Sequence, residues 1–127
     1  MTKLLVNIFL ILALLFGTPP ISGELTSAIK AGDANKISAF FGESVDLNIP
    51  ENEGVYSKTQ AKLILKTFFL KNQPSDFSVV HNGDSKNNSH YSIGNLKTNK
   101  GMYRVYILYK EQSGTTTVLE LRIESDE

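Results

Sequence analysis

The stretch "SHYSIGNLKTNKGMYRVYILYK", Ser89 to Lys110, decides how this chain folds. It holds four of the five tyrosines and one of the two histidines. Its apolar residues recur every second position, Tyr91 and Ile93 first, then Tyr103, Val105, Ile107 and Tyr109. Alternation of this kind is the mark of a strand with one buried face. "TNKG" between the two runs predicts a hairpin closed at Asn99, Lys100 and Gly101, with Gly101 in the left-handed position. Ile93 is then expected to face Ile107, and Tyr91 to face Tyr109.

The same period extends on both sides. Phe77, Val79 and His81 share a face, as do Leu119, Leu121 and Ile123. Four strands separated by "GDSKNN", "TNKG" and "QSGT" read as an antiparallel meander. A three-residue loop at Ser113, Gly114 and Thr115 sets Tyr109 opposite Leu119, Ile107 opposite Leu121 and Val105 opposite Ile123. On the other face it pairs Arg104 with Glu124 and Tyr106 with Arg122. One row across the inner face then reads His81, Tyr91, Tyr109, Leu119.

Before Pro74 the period is helical. Leu25, Ala28 and Ile29 mark one short helix stopped by Gly32, and Asp33 caps a second with Ile37, Phe40 and Phe41 inward and Gly42 at its end. "SVDLNIP" alternates as a strand, "ENEG" reads as a loop, and Ser57 with Gln60 forms a capping box for a helix from Lys58 to Asn72. Its core face is Ala61, Ile64, Leu65 and Phe68. Helices first and sheet last make an α+β domain, with helices on one face of the sheet.

Residues 1–23 have the layout of a secretory signal peptide: Lys3, then an apolar run from Leu4 to Phe16, then "GTPPISG". Cleavage is expected between Pro20 and Glu24, giving a periplasmic or secreted protein of one domain, residues 24–127. This run of thirteen residues, interrupted by Asn7, falls short of the roughly 20 that span a bilayer. Residues 24–127 hold 12 basic and 13 acidic residues. That balance gives no overall attraction for nucleic acid or an anionic membrane. Lys58, Lys62 and Lys66, at helical spacing, read as a solvated face. The chain has no cysteine, hence no disulfide and no cysteine metal site.

"AIKAGDANKISAFFGESVDL", "YSKTQAKLILKTFF" and the four-stranded ending resemble the nuclear transport factor 2-like superfamily. With "VVHNGDS", "YSIGNLKTNKG" and "LRIE" included, the chain resembles the domain of unknown function 4783 family, small exported bacterial proteins. The resemblance implies a cone-shaped α+β fold with a cavity between concave sheet and helices, and no particular reaction. Enzymatic relatives place a carboxylate or an aspartate–histidine pair inside the cone beside a tyrosine. Parity here puts no acid on the inner strands, and His90 falls on the outer face.

His81 is the one inner group that titrates near neutral pH unaided. The expected ligand contacts are His81, Tyr91 and Tyr109. The expected partner or dimer surface is Met102, Tyr106 and Leu108. Metal and cofactor are expected to be absent, and no residue is assigned a catalytic role. The sequence therefore reads as a non-enzymatic module, binding a small molecule in the cone or a protein on the sheet. The alternatives are an isomerase- or dehydratase-like enzyme using His81 with tyrosines, and a structural dimer with a filled core.

Overall fold

The computed structural model describes residues 21–126. The segment expected to be a signal peptide lies outside them up to Pro20. Helix α1 spans Gly23–Ala31 and ends because Gly32 adopts φ +65°, a conformation costly for a residue with a Cβ. Helix α2, Ala34–Ser38, starts where the Asp33 carboxylate accepts the Lys36 N–H at 3.1 Å. It is shorter than its sequence predicts. Phe41 and Gly42 already belong to strand β1, Phe41–Ile49.

"ENEG" is not a loop. Pro50 and Glu51 (φ +75°) make the turn, and Asn52–Ser57 forms strand β2, antiparallel to β1. Helix α3, Lys58–Lys71, opens on the expected capping box. Gln60 N–H donates to Ser57 Oγ at 3.2 Å, and Ser57 N–H donates to Gln60 Oε1 at 3.3 Å. Strands β3 (Pro74–Asp84), β4 (Ser89–Thr98), β5 (Gly101–Gln112) and β6 (Thr115–Ser125) complete the chain.

The six strands form one sheet in the order β2-β1-β6-β5-β4-β3. Every neighbouring pair is antiparallel except β1 and β6, which run parallel with Leu47 beside Leu121. This curved, open sheet carries the three described helices on one side. Leu25, Ile29, Ile37, Leu65, Phe68 and Phe69 of the helices meet Val45, Leu47, Leu96, Val105, Ile107, Tyr109 and Leu121 of the sheet in one core. The fold is the nuclear transport factor 2-like cone.

Two hairpins depart from the expected closure. At β5–β6 the turn has two residues, Ser113 (φ +52°) and Gly114 (φ +78°), with Gln112 opposite Thr115. A bulge at Leu119 then takes up one residue, so Tyr109 faces Val118, while Ile107 still faces Leu121 and Tyr106 still faces Arg122. At β4–β5 no bulge compensates. Thr98 pairs with Gly101, and the Thr98 hydroxyl both donates to Gly101 O (2.8 Å) and accepts the Lys100 N–H (3.1 Å). This turn shifts the whole of β4 by one residue. Tyr91 faces Leu108, Ser92 faces Ile107 and Ile93 faces Tyr106.

A one-residue shift moves every side chain to the other face. Ser92, Gly94 and Leu96 therefore point into the core, and Tyr91 and Ile93 point out. Volume explains why the small residues go inside. The Phe77 ring lies over Gly94, where a Cβ would sit 2.5 Å from the ring. On the outer face the Tyr91 ring covers Gly83 in the same way, also at 2.5 Å.

Candidate functional site

The expected inner trio of His81, Tyr91 and Tyr109 is divided between the two faces. A bulge at Val80 follows Val79, which faces Gly94, so that His81 faces Ile93 on the outer side. With the β4 register this places His81 and Tyr91 outside and leaves Tyr109 alone inside. The contact between the first two survives the change of face. His81 Nε2 and the Tyr91 hydroxyl are 3.0 Å apart.

The outer face carries a continuous row. The Tyr91 and Tyr106 rings stack with centroids 6.0 Å apart, and the Arg122 guanidinium lies 5.3 Å from the centre of the Tyr106 ring. Arg122 is held by Glu120 at 2.8 Å, with Glu124 at 3.8 Å. Burial among these neighbours pushes the Tyr106 phenol above its ordinary pKa, and Glu120 adds to the rise while Arg122 opposes it. Ile93 and Leu108 fill the spaces between, half-buried, and Met102 is exposed. Among the described residues no helix covers this side. Arg104 stands opposite Glu124 as expected, but its ion pair is with Asp126, at 3.7 Å.

Inside, the β3–β4 end of the sheet holds a polar cluster that parity misses. His90 faces Tyr109, not solvent, with ring centroids 5.6 Å apart. Its Nδ1 lies 2.9 Å from Asp84 Oδ1, so an acid does stand beside a histidine and a tyrosine. Tyr109 is fully buried and shares a hydrogen bond with Ser92, whose hydroxyl donates to Asn82 Oδ1 at 2.5 Å. Burial raises the Tyr109 pKa, Ser92 lowers it in part, and Glu111 and Asp84 push it further up. The signal for this cluster was Thr98, a turn-closing hydroxyl that fixes the register.

At the other end of the inner face a small cavity of about 200 Å3 lies among Ile49, Glu51, Phe68, Lys71, Asn72 and Tyr103. The Tyr103 hydroxyl donates to Asn72 Oδ1 at 2.8 Å there. Among the described residues no group of three His, Cys, Asp or Glu side chains is placed to hold a metal ion.

The family model for a domain of unknown function, DUF4783, matches residues 22–124. The chain belongs to the DUF4783 family. A DUF4783 protein from Bacteroides ovatus is 28% identical, with 84% of this chain and 96% of that one covered and a TM-score of 0.76. A second, from Bacteroides fragilis, is 27% identical over 84% of this chain and 100% of its own, also at 0.76. An NTF2-like protein of unknown function from Cytophaga hutchinsonii shares the fold at 15% identity, covering 81% and 84% of the two chains, with a TM-score of 0.53. No curated protein matches the chain.

Proposed function

We propose that this DUF4783 domain is an exported, non-enzymatic binding module that takes a protein partner on the outer face of its sheet, a second copy of the chain first of all. One observation carries the reading. The side chains suited to recognition, Tyr91, Tyr106, Arg122, Ile93 and Leu108, line the face that none of the described helices covers, whereas Tyr109 is sealed in the core. Aromatic residues and arginine dominate interface energetics where they are packed in the centre of a contact. A six-stranded sheet about 24 Å wide, at ~4.8 Å per strand, offers the roughly 800 Å2 per partner that stable interfaces use.

Sedimentation equilibrium tests it. The protein is expected to dimerise, Tyr106→Glu to be monomeric, and Tyr109→Phe to stay dimeric. A Tyr106→Glu protein that dimerises as tightly as the parent removes the outer face from the interface. The small-ligand reading loses its expected trio to the register. A second reading rests on Asp84 and His90 beside Tyr109, a pairing suited to moving a proton next to a carbonyl, as isomerases and dehydratases do. Deuterium exchange into a panel of enolisable ketones, lost in His90→Gln, would favour it over docking.

A further inference from the structure

Helix α3 is the most asymmetric element in the charge distribution. It carries Lys58, Lys62, Lys66 and Lys71 and no Asp or Glu. The remainder of residues 24–127 then holds eight basic against 13 acidic residues. The near-neutral total hides this segregation. Among the described residues the ion pairs belong to Lys30, His90, Arg104 and Arg122, so none of the four α3 lysines is neutralised by a carboxylate.

The same helix breaks a second expectation for a solvated face. Ala61, Leu65, Phe68 and Phe69 bury one side of it in the core, and the opposite side exposes two leucines. Leu63 is 58% exposed and Leu70 is 78% exposed, seven residues apart and therefore on one line of the helix. Lys66 and Thr67 lie between them. Beside Leu70 a cleft of about 490 Å3 opens, lined also by Lys66, Asn35, Gln73 and Asp33, whose carboxylate accepts the Lys36 N–H as the cap of α2. Leucines at the crest with lysines around them form the pattern that lies in a lipid–water interface, apolar groups among the acyl chains and ammonium groups at the phosphates.

We infer that the outward face of α3 docks the folded domain onto an anionic phospholipid surface. Leu63 and Leu70 enter the interface, and Lys62, Lys66 and Lys71, which flank them, meet the headgroup phosphates; Lys58, seven residues before Leu65, lies on the line of the buried side. Charge complementarity selects the occupant. Three unpaired lysines along a helix roughly 21 Å long match a surface of negative charge, and a zwitterionic bilayer, whose headgroup charges cancel, exerts no net pull on them. Docking of this kind is peripheral. Among the described residues no helix is long and apolar enough to cross a membrane.

The described residues close their own core, so the test uses the chain from Ile21 onward, without the apolar run of the leader. The protein has no tryptophan, and Leu70→Trp supplies a single reporter. Vesicles of phosphatidylglycerol and phosphatidylcholine in equal parts should shift its emission to the blue, and pure phosphatidylcholine vesicles should not. In cosedimentation, Lys62→Gln with Lys66→Gln should weaken binding about 25-fold, roughly fivefold per lysine near an anionic surface. Salt near ~1 M, where the screening length is about 3 Å, should release the protein. Leu63→Ser with Leu70→Ser should weaken binding without altering thermal stability. Equal binding to both kinds of vesicle, or binding indifferent to the lysine substitutions, overturns the inference. So does retention on poly-L-glutamate with no binding to either vesicle, which would make the surface a site for acidic polypeptides.

Discussion

The register of β4 against β5 makes a prediction that two isoleucines can test. Ile107 is 1% exposed, faces Leu121 across β6 and Ser92 across β4, and packs in the core. Ile93 lies one strand away, half-buried on the outer face opposite Tyr106. Truncating a buried isoleucine to alanine removes its transfer free energy and leaves a cavity, a loss of about 2–5 kcal/mol. The neighbours of Ile107 come from two strands and cannot close the gap without moving the sheet, so Ile107→Ala belongs in that range. Ile93→Ala removes a side chain that solvent partly wets already and leaves no enclosed void. Its loss should be about 1 kcal/mol or less. Total stability of such a domain is about 5–15 kcal/mol, so the two variants separate clearly in urea melts with unchanged m-values. Equal losses would refute the reasoning, because only the alternative register, with Ile93 facing Ile107, puts both side chains in the core.

Three further outcomes follow from single sites. Gly94→Ala should destabilise the domain although its backbone is ordinary, because the new Cβ would meet the Phe77 ring at 2.5 Å and Ser78 O at 2.8 Å; equilibrium unfolding measures it, and Phe77→Leu should recover part of the loss. Burial raises the folded-state pKa of Tyr109, so the native state holds that proton more tightly than the unfolded chain does. Its contribution to stability is full below about pH 10, the unfolded value, and is lost as pH rises through the folded value; Tyr109→Phe should flatten the alkaline fall in melting temperature. Ile21 is buried in the core and Ser22 O accepts the Thr26 N–H at 3.1 Å, so N-terminal sequencing of protein recovered from the cell envelope should find a first residue at or before Ile21.

The parts of the fold legible in the sequence are those fixed by local chemistry. Gly32, Asp33 and the Ser57–Gln60 pair mark helix ends through bonds within four residues, and such bonds form whatever the rest of the chain does. Strand β2 was hidden because it is an edge strand. It buries no residue fully, and although its exposure alternates, the inward positions carry Asn52 and Gly54 while Val55 points out, so its apolar residues do not follow the alternation. Parity failed at β4 for a different reason. It assigns the larger apolar set, Tyr91 and Ile93, to the core, but the space there is taken by Phe77, Ile107 and Tyr109, and Ser92 and Gly94 fit what remains. The β5–β6 pairings from Arg104 to Ile107 came out right through two compensating features, a shorter turn and a bulge at Leu119, whereas on the turn side of that bulge Tyr109 faces Val118 and not Leu119. The candidate site depended on the one register that turn chemistry decided. Outside the core, Met102, Tyr106 and Leu108 occupy the outer face as expected, because β5 is anchored by Val105 and Ile107 on its other side.

The two proposed surfaces lie on opposite sides of the domain, and that opposition has a measurable consequence. Helix α3 covers the inner face of the sheet and turns Leu63 and Leu70 away from it. If two copies pair sheet to sheet, about 10 Å apart as packed sheets are, their α3 faces point in opposite directions. One dimer then cannot lay both helices on one flat bilayer. It bridges two. Mixed phosphatidylglycerol vesicles should therefore clump when the protein is added, and turbidity should rise steeply at protein concentrations that support the dimer. Tyr106→Glu should bind the same vesicles through α3 without clumping them, since a monomer presents one face. Lys62→Gln with Lys66→Gln should lose both binding and clumping while remaining dimeric in solution. Clumping by a Tyr106→Glu protein shown to be monomeric would mean that a single domain touches two bilayers, and the assignment of lipid contact to α3 alone would fall while the sheet face kept its second copy.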